Sequence, residues 1–261
     1  MDRTADEDRE YGSLVAHGLL MALVYFVATD VLGFLFVLAS KTGLLPVSSI
    51  PWPGFQLISV VSIILVGGIV IRMMHGTREE CGLVFRKDEP YLLHAVLIGA
   101  AAAVAINAAL LLKSMLFQQH EGLAFPPFRH IPHPGIWGMA AMEALYGTVR
   151  AFLLFGVMLA YLMRKTSIHF RFGLWDIPMA GIVVLVITMI PGLLSLTRQM
   201  SDSGSVFLTV TLIPALCAGV VTLASSYWFE RSRSLAAPMI AFGLFTGLFP
   251  VLFNLRFLLL Q

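Results

Sequence analysis

The stretch GMAAMEALYGTVRAFLLFGVMLAYLM, Gly138 to Met163, decides the fold class. It exceeds the roughly 20 residues a helix needs to cross the hydrocarbon of a bilayer, so it reads as a transmembrane helix. Within it Glu143 and Arg150 carry charge. A charged side chain at mid-bilayer costs about 3 kcal/mol or more, so two in one span are expected to have partners or work.

Six further apolar segments have comparable length: Ser13 to Leu38, Phe55 to Met74, Tyr91 to Leu112, Ile177 to Leu196, Val206 to Trp228 and Ala237 to Leu259. The expected fold is an all-α, polytopic transmembrane bundle of about seven spans, forming a single transmembrane domain over residues 1–261. The fifth segment is bracketed by Pro178 and Pro191, and the chain after Pro191 reads as a full span or as a broken, re-entrant helix. Composition agrees with the class. Hydrophobic residues make up 58% of the chain, charged ones 12%, and the mean hydropathy is +0.87, outside the soluble range. A net charge of +2 with basic residues scattered at span ends excludes a phosphate-tracking surface, so nucleic acid is not an expected partner. Cys81 and Cys217 lie in different contexts, and no disulfide between them is expected.

Loop charges orient the bundle, because Lys and Arg collect on the cytoplasmic side of short loops. With the N-terminus inside, the inner segments hold Arg3, Arg9, Arg72, Arg78, Arg86, Lys87, Arg164, Lys165, Arg171, Arg231 and Arg233, and the outer ones only Lys41, Lys113, Arg129, Arg198 and Arg256. The expected placement is therefore a multi-pass protein of the cell inner (cytoplasmic) membrane, with residues 1–12 a cytoplasmic tail. The opening MDRTADEDREYG lacks the basic start and cleavage site of a signal peptide, so the first segment reads as a retained span. The longest connection, residues 113–134, interleaves aromatics and histidines with Pro126, Pro127, Pro132 and Pro134 and reads as an outer interfacial loop, the first place to look for a partner.

Seven residues separate Glu143 from Arg150, which places them on one helix face about 10.5 Å apart along the axis. They are too far apart to bond each other. Asp30, Asn107, Thr188 and Asn254 are the polar side chains at suitable depth to serve as partners. Interhelical glue explains the pair as well as catalysis does. His120, His130 and His133 share the outer loop and are candidate binding residues with Asp30, but their spacing does not set imidazoles on one helical face, so no metal and no cofactor are expected. Gly67 and Gly68, Gly99, and the GxxxG pair Gly243 and Gly247 supply surfaces for close helix approach.

The segment SSYWFERSRSLAAPMIAFGLFTGL, Ser225 to Leu248, resembles the last conserved region of the CAAX-protease and bacteriocin-processing (CPBP) intramembrane proteases. Tyr227, Arg231, Ser234, Leu235, Ala237 and Pro238 carry the match, while Phe242 and Thr246 stand where that family has a histidine and an asparagine. GLVFRKDEPYLLHAVLIG, before the third span, also resembles the entry to that family's core. The family's first motif, two glutamates and an arginine, would fall at Glu143, with Ala144 and Thr148 replacing its other members, or at Arg150, with Leu145 and Tyr146 in the glutamate places. Its middle motif would fall at Ile187 and Pro191, where the phenylalanine and histidine are absent.

The resemblance implies the bundle with its catalytic set lost. The expected function is a non-catalytic membrane subunit that binds a membrane-protein partner or assists a complex, in contact with the lipid bilayer. Two alternatives stay open. One is an active intramembrane protease with a rearranged site, in which Glu143 and Arg150 are catalytic and a histidine comes from His94, His120, His130 or His133. The other is a subunit of a transporter or energy-transducing complex, with the buried charges lining a polar path.

Overall fold

The computed structural model describes residues 5–31, 34–35, 38–39, 42, 52–84, 89–117, 133–172, 175–199 and 213–260. Among the described residues there are seven long helices in the order of the seven apolar segments. Helix α1 is Ala5–Phe26, continued by a π-helical turn Val27–Val31; α2 is Trp52–Met73; and α3 is Leu92–Phe117. Helix α4 is His133–Ala151, passing through a π-helical stretch Phe152–Leu159 to a last α-turn Ala160–Met163. Met179–Gln199 is α5, Ile213–Ser232 is α6 and Ala236–Leu260 is α7. Four of these, over Arg9–Val31, Gln56–Met73, Leu92–Ala109 and Gly135–Met163, are long and apolar enough to cross a membrane. Met179–Met189 and Ala236–Leu252 are shorter apolar stretches.

Three boundaries differ from the sequence reading. Helix α1 starts at Ala5, ahead of Ser13 where the first apolar segment begins. The 113–134 connection is shorter than expected: α3 runs on to Phe117, and α4 starts at His133 with Pro134 in its first turn, the place where a helix tolerates proline. Its centre, residues 118–132, lies outside the described residues. Helix α5 continues through Pro191 to Gln199 without a break, since one lost backbone hydrogen bond does not end a helix packed in a bundle.

Between α4 and α5 the chain forms a hairpin that apolar periodicity did not announce. Strand β1, His169–Phe172, pairs antiparallel with β2, Trp175–Pro178, in the register His169 to Pro178 and Arg171 to Asp176.

Helix α4 is the axis of the bundle. Its membrane-length window is 67% buried, against 28% to 33% for the corresponding windows of α1, α2 and α3. Leu153, Leu154, Phe155, Val157, Met158 and Leu159 are all fully enclosed, as expected of a helix apolar on every side. The outer helices are inverted relative to those of a water-soluble protein. On α2, Leu57, Val61, Ile64, Leu65 and Ile69 are exposed at helical spacing, while Gln56, Ser59 and Ser62 face inward and are buried. In water that apolar stripe would drive aggregation, whereas in lipid it is solvated.

Helices α3, α4 and α7 meet along small residues. A Cβ added to Gly99 would stand 2.5 Å from the Ala241 carbonyl oxygen, and one added to Gly147 would stand 2.6 Å from that of Phe242. Gly243 presses on Thr148, and Gly247 on Ala140 and Ala144. The GxxxG pair therefore does the packing its spacing implied. Gly67 abuts Phe152 of α4, while Gly68 has open space beside it.

Candidate functional site

The polar residues of the bundle interior converge on α4. Gln56, near the start of α2, donates through Nε2 to Glu143 Oε1 at 2.8 Å. From the other side Thr246 of α7 donates its hydroxyl to the Glu143 backbone oxygen at 2.7 Å, and also lies 2.9 Å from the Phe242 carbonyl. Glu143 is thus held by α2 through its side chain and by α7 through its backbone. Thr148, one turn further along α4, faces the same helix, its hydroxyl 3.4 Å from the Met239 carbonyl.

Arg150 stands near the middle of the α4 span, with its guanidinium carbon 5.6 Å from the centre of the Tyr25 ring of α1. That distance is the cation–π range. Tyr146 and Asp30 lie within electrostatic range of the same guanidinium. Its Nε is buried without a hydrogen-bond partner. Asp30 is on the π-helical turn of α1 and is itself exposed.

That turn is stitched by hydroxyls. A π-helical turn disturbs the α-helical ladder, and carbonyls left short of a donor are costly in an apolar surrounding. Ser62 of α2 donates to the Ala28 carbonyl at 2.6 Å, and the Thr29 hydroxyl lies 2.9 Å from the Tyr25 carbonyl and 2.5 Å from Asp30 Oδ2. With one proton, Thr29 serves one of those acceptors at a time.

Of the polar partners the sequence offered for Glu143 and Arg150, Asp30 of α1 lies within electrostatic range of Arg150. The other proposed partners turn elsewhere. Asn107 donates to the Ala103 carbonyl and Thr188 to the Leu185 carbonyl, each within its own helix. Asn254 lies on α7, with its side chain outside the described residues. His120 and His130 lie outside the described residues altogether, and His133 is described only as the first residue of α4. His94 is exposed on the first turn of α3. Among the described residues no group of three His, Cys, Asp or Glu side chains is placed to hold a metal ion.

Sequence reasoning missed Gln56 and Tyr25, and singled out Tyr146 and Thr246 only as departures from the family motifs. Gln56, Ser59 and Ser62 did carry a signal: polar residues at every third position of an otherwise apolar span mark its inward face.

A second polar cluster lies at the opposite end of α4, beyond Met163. Arg164 donates to the Met74 carbonyl at 3.1 Å and pairs with Glu80. The Thr77 backbone and hydroxyl, followed by Arg164, hold the Glu80 carboxyl below its usual range. Burial pushes the neighbouring Cys81 thiol up. On the hairpin, His169 Nε2 lies 2.5 Å from Glu230 Oε1 of α6 and its Nδ1 2.7 Å from the Ser167 carbonyl. The Glu230 carboxylate raises the His169 imidazole above its ordinary value.

No protein-family model, no curated protein and no solved structure matches this chain.

Proposed function

We propose that this chain is a multi-pass protein of the cytoplasmic membrane, with its N-terminus inside, built on a CPBP-like bundle and working as a binding subunit instead of a protease. The observation that carries the proposal is the closed seam between α4 and α7. An intramembrane protease must admit a strand of substrate and a water molecule beside its carboxylate. Glu143 and its neighbours on α4 are instead committed to other helices. Gly147 touches the α7 backbone, Thr246 bonds the Glu143 carbonyl, and Phe242 is buried edge-on against Phe155 with ring centres 5.6 Å apart. The Glu143 side chain is directed to Gln56, so its acid–base chemistry is engaged in holding α2. The partner is expected to be another membrane protein. The eleven basic residues assigned to the inner segments, against five outside, support the orientation.

Glu143→Gln tests this in the native membrane, because glutamine keeps an acceptor for Gln56 and abolishes a carboxylate base. The expected result is unchanged abundance of the chain, an unchanged set of co-purifying proteins and no change in the N-termini of other membrane proteins. Loss of particular cleaved N-termini, with the variant still present at normal level, contradicts the proposal. One observation favours a transporter-type subunit as the second reading: the buried, incompletely paired Arg150 near Tyr25 and Asp30. Transport that responds to pH and is altered by Asp30→Asn or Arg150→Gln would select it.

A further inference from the structure

A cleft of about 470 Å³ opens beside the end of α4 where its apolar span stops at Met163. Ala160 and Met163 of α4 and Val84 give it an apolar side, and Glu79, Arg164 and Arg233 give it a charged one. Glu80 also lines it but is already committed to Thr77 and Arg164. Among the described lining residues, that leaves Glu79 and Arg233 with charge to offer, one of each sign.

Arg233 is delivered there by an unfavourable backbone. It follows the last residue of α6 with φ +52°, in the left-handed region where glycine or asparagine is at ease, and its N–H closes α6 on the Phe229 carbonyl at 2.8 Å. The turn is locked from both sides. Leu235 N–H donates to the Gly82 carbonyl at 3.0 Å, and the Ser232 and Ser234 hydroxyls accept from the Ser234 and Ala236 N–H groups at 3.2 Å. A strained, over-determined position held by a charged residue at the mouth of a cleft points to a ligand.

We propose that this cleft binds the zwitterionic headgroup of phosphatidylethanolamine. The phosphate faces Arg233 and the ammonium donates to Glu79, while Val84, Ala160 and Met163 meet the glycerol and the first acyl carbons. The charge pattern selects the lipid. An anionic headgroup would leave Glu79 opposed to like charge, and the quaternary ammonium of phosphatidylcholine has no N–H to give a carboxylate. Quaternary ammoniums are usually held by aromatic rings, and among the described lining residues none is aromatic. The inference does not depend on whether the bundle is catalytic. It requires only that Met163 lies at the boundary between hydrocarbon and water.

The test is native mass spectrometry of the full-length, detergent-solubilised protein titrated separately with phosphatidylethanolamine, phosphatidylcholine and phosphatidylglycerol of identical acyl chains. Wild type is expected to retain the ethanolamine lipid about tenfold better than the other two, the effect of one well-placed charge-assisted hydrogen bond. Arg233→Gly should abolish the preference with thermal stability kept or raised, since glycine removes the backbone strain. The exposed Glu79→Gln provides a second variant and should shift preference towards phosphatidylglycerol. Equal retention of the three lipids by wild type, or a preference that survives both substitutions, overturns the site. Soluble phosphoethanolamine separates the two sources of the headgroup: failure to displace the lipid supports a membrane ligand, and displacement at equal concentration overturns it in favour of a free zwitterion.

Discussion

At the scale of single residues, Glu143 shows how a membrane interior spends a carboxylate on architecture. Gln56 is 6% exposed and Glu143 accepts from its amide, so removing the acceptor orphans a buried donor, whereas substituting an amide keeps one. Glu143→Leu is therefore expected to destabilise the bundle by about 1 to 3 kcal/mol and Glu143→Gln by less than about 0.5 kcal/mol, read from reversible unfolding in mixed micelles. Cys81 gives a second residue-scale expectation. Its thiol is 2% exposed and pushed up by burial, and the thiolate is the reactive form. In a Cys217→Ser background it should resist maleimide at pH 7 until the chain is unfolded. The sequence made Glu143 and Arg150 visible because charge in an apolar run is conspicuous. Tyr25 stayed hidden because it is ordinary in its own span and acquires a role only through the neighbour that packing supplies.

Among the elements, the α4–α7 seam and the hairpin carry opposite kinds of prediction. The seam is a backbone contact. A methyl group on Gly147 would meet the Thr246 hydroxyl and, behind it, the Phe242 carbonyl, which no rotamer change removes. Gly147→Ala should separate the helices and cost about 1 to 3 kcal/mol, while Gly68→Ala, with open space at its Cβ, should be close to neutral in the same unfolding assay. The hairpin is held to α6 by His169 and Glu230 outside the apolar spans. Because the folded imidazole titrates above its unfolded value near 6.5, the pair's contribution is complete below that pH and is lost as pH rises through the folded value. Amide exchange of β1 and β2 should accelerate from pH 6 to pH 9 by more than the intrinsic rate rises, and His169→Gln should remove the excess. Hydropathy located the long helices of the described residues, but it could not show this hairpin, whose four-residue strands are too short for alternation to be read.

For the whole molecule, the order of the long helices among the described residues follows the order of the apolar segments, and four of them have the length and hydropathy a bilayer demands. The centrality of α4 was less legible. Leu, Phe and Met facing lipid look the same in sequence as Leu, Phe and Met facing protein, so only packing separates the enclosed Phe152–Leu159 stretch from the lipid-facing side of α2. Helix ends moved for a related reason: hydropathy marks where the hydrocarbon stops, whereas α1 and α4 begin ahead of their apolar segments, α4 with Pro134 in its first turn. The proposal for the whole is that a bundle of protease-like pattern, with Glu143 committed to α2 and α7, works by holding another membrane protein. The most direct measurement is gentle detergent purification of the tagged chain from its native membrane, with quantitative mass spectrometry of co-purifying proteins and metal analysis of the same sample. The account predicts a membrane protein present in stoichiometric amount and no bound metal; a lone chain carrying about one zinc ion per molecule would contradict it.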